Sequence, residues 1–244
     1  MTTQVHAMSA IAIAVAALTA GTAVCAGASD EIVLLKDARM KIELNATDND
    51  AGIQVFIDAE PWKSMDIFDP AGRMIFHAET NGSLGKQGGT EFFMESAEPN
   101  FTELTFKKFL KRFPAGRYRM RGEGLAGERY AGYANFTHTV PAGPVLVSPA
   151  ENAVVDPQNT VVQWQRVPAP PGSRIVGYQV LVVKGDSGIR AIPKIVLDVM
   201  MPASATSMNV PTGFLSPAST YEWEVLAIEK SGNQTLSSGA FTTP

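Results

Sequence analysis

The chain has 244 residues, enough for about two domains of ordinary size. Its formal net charge of −4 argues against a dedicated nucleic-acid binder, whose domains carry a strong basic excess. The single cysteine argues against a disulfide scaffold.

The first element is an export signal. "MSAIAIAVAALTAGTAVCAGAS" runs apolar and small from Met8 to Ser29 and ends in A-x-A style, which places cleavage near Ala26 or Ala28 and a signal peptide over 1–28. The preceding "MTTQVHA" lacks the usual Lys or Arg. The competing reading is an uncleaved anchor helix, because the run is long enough to span a bilayer; its Ala-rich, weakly hydrophobic core favours the signal. Cys25 lies inside this segment behind Val24, a poor neighbour for lipid attachment. Cleavage after it leaves a mature chain with no thiol, no disulfide and no membrane span, so each domain must rely on a hydrophobic core.

Downstream of Ser29, short apolar alternations are broken by Gly, Pro, Asn and Asp, the habit of β-sandwiches. In "ARMKIELNA" Met40, Ile42 and Leu44 share one strand face, and in "GIQVFID" Ile53, Val55 and Ile57 do so. "SMDIFDPAGRMIF" reads as strand, type I turn at Asp69-Pro70-Ala71-Gly72, strand. One helix follows in "FTELTFKKFLKRF": Phe106, Phe109, Leu110 and Phe113 recur at i, i+3, i+4, i+7. Asn100 is its expected N-cap and Pro114 its stop. "PAGRYRMRGEG" and "YAGYANFTH" are the closing strands of a first domain over 30–140, with its helical insert near 102–113. "TVPAGPVLVSP", with three prolines, marks the boundary and restricts the angle between the domains.

The second domain, 143–244, alternates sharply. Val162 and Trp164 share a face in "VVQWQRV", as do Tyr178, Val180 and Val182 in "GYQVLVVK". In "YEWEVLA" Tyr221, Trp223, Val225 and Ala227 form one set, and Glu222, Glu224 and Leu226 the outward one. Residues 143–244 resemble a fibronectin type III domain. Trp164 sits where that family places its core Trp, "GYQVLVV" looks like the third strand, and "GAFTTP" looks like the last. Leu215, Pro217 and Tyr221 match the L-x-P-x-x-x-Y pattern before the sixth strand. The resemblance implies that Tyr221 is a corner tyrosine, its hydroxyl bonded to nearby backbone. In the first domain "GRMIF" and "FPAGRYRM" are similar to strand-turn phrases of bacterial immunoglobulin-like modules. The expected fold class is all-β: two consecutive immunoglobulin-like β-sandwiches, the first with one short helix, the second fibronectin type III-like.

The candidate metal ligands are Asp48 and Asp50 in "NATDNDAG". Their D-x-D spacing before Gly52 offers clustered oxygens to calcium, with Asn45, Asp58, Asp66 and Asp69 as further ligands if loops converge. The leading reading of the same stretch is a plain hairpin turn, in which Asn and Asp bond their own backbone. Lys107, Lys108, Lys111, Arg112, Arg117, Arg119 and Arg121 form a basic run, with the last three on one strand face. It reads either as a patch for acidic polysaccharide, phosphate or a partner, or as solvated charges paired with carboxylates. Glu91, Glu95 and Glu98 stand beside Phe92, Phe93 and Phe101, a composition that suits sugar rings or a core with a solvated rim. Glu222 and Glu224 are read as facing water rather than as an acid–base pair. His77 and His138 are isolated, "KGDS" (184–187) is read as a turn, and N-x-S/T sequons stand at Asn45, Asn81, Asn100, Asn135 and Asn233.

These readings point to a non-catalytic exported binding or scaffold protein, with the type III-like domain as spacer or docking surface. Its expected partner is a protein or polysaccharide of the envelope or extracellular space, not nucleic acid. The rival is a secreted glycan-acting enzyme with a carboxylate site around Glu91, Glu95, Glu98 or the Asp48 loop; a retaining one needs two carboxyls about 5–5.5 Å apart. A third reading is an envelope structural subunit, for which Phe56, Leu181 and Val183 are outward apolar candidates.

Overall fold

The computed structural model describes residues 32–244, so the expected signal segment, with Cys25 and its cleavage site, lies outside the described residues. Among the described residues no helix is long and apolar enough to cross a membrane.

The first half contains β1 (Ile32–Leu34), β2 (Asp37–Asn45), β3 (Asp50–Phe68), β4 (Met74–Glu79), α1 (Gly82–Gln87), β5 (Gly89–Glu95), α2 (Phe106–Arg112), β6 (Gly116–Gly124) and β7 (Arg129–Phe136). The 19-residue β3 organises it. Its first part pairs with β2 and β5, and its second with β4 and β6. Its register shifts between Asp58 and Trp62, where the partners change from β2 and β5 to β4 and β6. Beyond β6 the sheet continues through β7 to β1, which runs parallel to β7. Alternation puts Met40, Ile42, Ile53, Val55, Ile57, Met65, Ile67, Tyr118 and Met120 into one core, and α2 adds Phe109. Trp62 is buried at the crossing, against Gly89, where a Cβ would fall 2.6 Å from the indole. Gly89 therefore has no room for a side chain.

Two expectations need correction here. The first half has two short helices, not one: α1 buries no residue, so no apolar stripe announced it. Asn100 is not the N-cap of α2, whose N-cap position is Thr105. The Asn100 amide is drawn elsewhere. Its Oδ1 accepts from Thr102 N at 3.0 Å, and its Nδ2 donates to Asp48 O at 2.6 Å, in the turn between β2 and β3.

The second half contains β8 (Leu146–Ser148), β9 (Ala153–Val154), β10 (Val161–Trp164), β11 (Ile175–Lys184), β12 (Ile195–Pro202), β13 (Ser207–Asn209), β14 (Thr220–Glu229) and β15 (Gln234–Thr242). One sheet has the order β13-β10-β8 and the other runs β12-β11-β14-β15, with β9 beside the end of β15. The two sheets enclose Val162, Trp164, Tyr178, Val180, Val182, Tyr221, Trp223, Val225, Ala227 and Phe241. This is the fibronectin type III-like sandwich, and the Tyr221 hydroxyl accepts from Ser216 N at 2.7 Å, as the corner position implies. Leu226 departs from its expected outward set: it is only 3% exposed and pairs with the buried Leu236.

The reason lies in the joint. β15 pairs parallel with β2, Gln234 opposite Glu43 and Leu236 opposite Asn45, so one continuous sheet passes through both halves. Asn233, in the turn just before β15, is 1% exposed. Its Oδ1 accepts from Ile42 N at 2.8 Å, and its Nδ2 donates to Thr137 O at 3.1 Å and Thr139 O at 2.7 Å. Thr235 Oγ1 donates to Pro141 O at 2.7 Å. The proline-rich connection is thus pinned along the joint by side chains of the second half.

Candidate functional site

The joint also gathers acids. Glu43 comes from β2, Glu95 ends β5, and Glu98 lies in the loop beyond it; their carboxylate oxygens lie within 4.8 Å of one another. Each is held. Gln234 Nε2 donates to Glu43, Gln54 Nε2 donates to Glu95 Oε1 at 2.7 Å, and Lys41 Nζ donates to Gln234 Oε1 at 2.8 Å. The Glu98 carboxylate rests on Gly52, where an added Cβ would stand 2.6 Å from Oε1. This close approach requires Gly52.

Crowded and partly desolvated carboxyls hold their protons more tightly. Glu98 is exposed, but partial desolvation of its carboxyl first, then the charges of Glu95, Glu43, Asp50 and Asp48, push it up to about 7. Burial also raises Glu43, against the hydrogen bond from Gln234 and the charge of Lys41. Asp50 is raised by burial and by Asp48, and Glu224 by burial, Glu222 and Glu43. An all-oxygen donor set of this kind suits a hard cation such as Ca²⁺. Glu43, Glu95 and Glu98 are the residues that could hold one.

Asp48 and Asp50 border this cluster. Asn45 Oδ1 accepts from Thr47 N at 2.9 Å and Asp48 N at 3.0 Å, while Asn45 Nδ2 donates to Asp48 Oδ2 at 2.8 Å. Asn49 has φ 58°, so the stretch is a tight Asx-type turn. Asp50 Oδ1 is buried and has no hydrogen-bond partner among the described residues. Asp66 and Asp69 are engaged elsewhere, with His77 at 2.6 Å and with Arg73 at 2.7 Å. Glu91 stands four residues before Glu95 on β5, about 13 Å away along the strand.

The remaining candidates resolve locally. Tyr221 and Trp223 are buried, Glu222 is exposed, and Glu224 is half-buried near Glu43. His138 Nε2 meets Phe113 O at 2.8 Å, far in role from His77. Asp186 Oδ1 accepts from Gly188 N at 2.8 Å, closing "KGDS" as a turn. Phe92 packs on Phe76 at 5.0 Å and Phe101 on Phe106 at 5.6 Å, while Phe93 is 59% exposed. Phe56 lies half-buried under Arg39, and Leu181 and Val183 are half-buried, so those three form no open apolar patch. The sequon at Asn233 is buried in the joint.

The basic run divides in two. Lys107, Lys108, Lys111 and Arg112 lie exposed on α2, and Arg117, Arg119 and Arg121 lie exposed on the outer face of β6. The ion pairs among the described residues are Lys36–Glu60, Arg39–Asp37, Lys63–Glu123, Arg73–Asp69 and His77–Asp66. None includes the run, so its expected pairing with carboxylates is not seen.

No protein-family model matches the chain, and no curated protein matches it. Similar solved structures include the FN1–FN3 domains of chicken CNTN1, at 11% identity and TM-score 0.31, covering 86% of this chain and 64% of that one. They also include a tetra-tandem repeat in the extending region of a large adhesion protein, at 12% identity and TM-score 0.30, covering 85% of this chain and 50% of that one. The chain therefore spans between half and two thirds of those structures. Likeness at this level carries no weight for function, and the fibronectin type III-like reading of 143–244 rests on its strand order and on Tyr221.

Proposed function

We propose that the protein is a non-catalytic binding scaffold, exported to the envelope or medium, in which two sandwiches act as one rigid body. The observation that carries this reading is the parallel pairing of β15 with β2, locked by Asn233. A hinge would have to break ladder bonds and expose buried amide groups, which is costly. A rigid spacer presents a binding face at a fixed distance and angle, and the type III-like half supplies that spacing or a docking surface for protein. Export rests on the apolar run from Met8 to Ser29. The rival glycan-acting enzyme gains no support from Glu91, which stands apart from Glu95 and Glu98. The test is calorimetric unfolding of residues 32–244. One transition is expected, with equal calorimetric and van't Hoff enthalpies. Two separated transitions would sink the rigid-body reading.

A second reading is calcium at the joint, with Asp48 and Asp50 beside Glu43, Glu95 and Glu98. It is favoured by the partnerless Oδ1 of Asp50 next to three converging carboxylates. The sign of the pH dependence follows from Glu98, whose folded pKa of about 7 lies above the ordinary 4.5. Its contribution to stability is present below pH 4.5 and lost as pH rises through 7. Melting temperature is therefore expected to fall between pH 4.5 and 8, and Glu98→Gln should flatten that fall. After solvent screening, about 1 kcal/mol is at stake, or roughly 2–4 °C. At pH 8, Ca²⁺ at a few millimolar should restore a similar amount, through linkage to a site of about 10⁻⁴–10⁻³ M. The calcium effect should vanish in Asp48→Asn/Asp50→Asn. A wild-type melt at pH 8 that ignores calcium overturns this second reading and leaves the scaffold reading standing.

A further inference from the structure

The outer face of β6 carries Arg117, Arg119 and Arg121 at every second residue, so their Cα atoms cover about 13 Å along one strand. The strands on either side supply aromatic rings. The Arg117 guanidinium stacks over Tyr133 of β7 at 3.5 Å, and that of Arg121 lies over Phe68 of β3 at 5.6 Å. Arg119 stands between them, opposite both Phe68 and Tyr133 in the strand register. The two acids nearest the arginines are engaged elsewhere: Asp66, directly opposite Arg121, bonds His77, and Glu123 pairs with Lys63. None of the three arginines has an ion-pair partner among the described residues. A shallow groove of about 330 Å³ follows them, bounded by Leu34, Gly132 and Tyr133. Leu34 is 75% exposed and Tyr133 49% exposed.

We propose that this ladder is a binding site for an acidic polysaccharide whose carboxylates repeat along the chain, a polyuronate. Stacking on a ring holds a guanidinium flat and leaves its N–H edge free, so less entropy is lost when an oxyanion binds. The fork of each guanidinium matches a planar carboxylate with two parallel hydrogen bonds. The row along the strand matches a linear polyanion rather than a single ion. Leu34, 75% exposed, offers apolar surface to the C–H faces of sugar rings. Single-stranded nucleic acid is the poorer fit. It needs open aromatic faces for its bases, and both rings here already carry a guanidinium. The chain's net charge of −4 also supplies no wider field for a nucleic acid backbone. The proposal goes beyond the rigid-scaffold reading and does not depend on it.

The test is fluorescence anisotropy of labelled hexagalacturonate titrated with residues 32–244. Saturable binding is expected, weakening as salt rises. Arg117→Gln/Arg119→Gln/Arg121→Gln should weaken it by about tenfold or more, and Arg119→Gln alone, which disturbs no aromatic contact, by about threefold. Lys107→Gln/Lys108→Gln/Lys111→Gln removes equal charge from α2 and should leave affinity within about twofold. The arginine variants should melt with the wild type, because the three side chains are exposed. Absence of saturable binding overturns the proposal. So does an equal loss in the α2 variant, which would mean undirected charge attraction. Tighter binding to polyphosphate, single-stranded DNA or anionic vesicles than to hexagalacturonate also overturns it, in favour of that other class.

Discussion

Asn233→Ala is expected to destabilise the protein by about 3 kcal/mol, lowering the melting temperature by roughly 6–12 °C. The substitution removes little apolar surface, so the cost is polar. Asn233 is 1% exposed, and its amide is the shared partner of Ile42 N on β2 and of the carbonyls of Thr137 and Thr139 in the connection. Alanine strands all three groups, Ile42 N in a buried place and the two carbonyls in a part-buried one. Each buried group left without a partner costs about 1–3 kcal/mol. The effect should also show in shape. With the lock gone, the single calorimetric transition should broaden or split, because Asn233 ties the edge of one sandwich to the other. Asn233→Asp keeps the acceptor for Ile42 N but turns a buried carboxylate oxygen onto the carbonyls of Thr137 and Thr139, so at neutral pH its melt should fall at or below that of alanine. Asn135→Ala, at an exposed position on β7, is the control and should melt with the wild type. An Asn233→Ala protein that unfolds like the wild type, in one sharp step, would show that the joint is held by β15–β2 pairing alone.

That joint was not legible in the sequence. "EKSGNQT" has the composition of any hairpin turn, and nothing local marks its Asn as the buried one. Leu226 was misplaced for the same reason. Period-two alternation reports one sandwich at a time: of the outward set on β14 Glu222 stays exposed, and Leu226 is buried beside Leu236, where β15 meets β2. Where a single sandwich decides burial, alternation was enough. Tyr178, Val180, Val182, Trp223 and Val225 are all fully buried as expected. "GIQVFID" and the start of "SMDIFDPAGRMIF" read as two strands, yet they belong to one 19-residue strand, whose irregular register between Asp58 and Ser64 lets it hold Pro61. The candidate sites divide similarly. The D-x-D of Asp48 and Asp50 and the alternate arginines of β6 are local spacings and can be read directly. Glu43, Glu95 and Glu98 come together only because β3 holds β2 and β5 on its two edges. The rings that hold Arg117 and Arg121 likewise belong to neighbouring strands, and no spacing within β6 reports them.

Tyr221→Phe is expected to cost about 1–2 kcal/mol, although it deletes a single oxygen atom. The ring is not the issue. It is 1% exposed and stacks with Phe241 at 5.5 Å, and phenylalanine keeps both the burial and the stack. What goes is the acceptor for Ser216 N, 2.7 Å from the hydroxyl, in the turn that leads into β14. Ala218 in that turn has φ 48°, a conformation that an L side chain adopts reluctantly, so the turn needs outside help to hold its shape. Ser219 N donates to Thr243 Oγ1 at 3.1 Å, and Thr243 Oγ1 donates to Ser216 O at 2.6 Å, which ties the same turn to the end of β15. Tyr221 holds it from the core side. Urea denaturation should show a lower midpoint with an unchanged slope, because the surface exposed on unfolding is nearly the same in both proteins. A midpoint equal to that of the wild type would mean that the Thr243 contacts fix the turn without the tyrosine. A lower slope would mean that the turn is already open in the folded variant, and the loss would then belong to local unfolding rather than to one hydrogen bond.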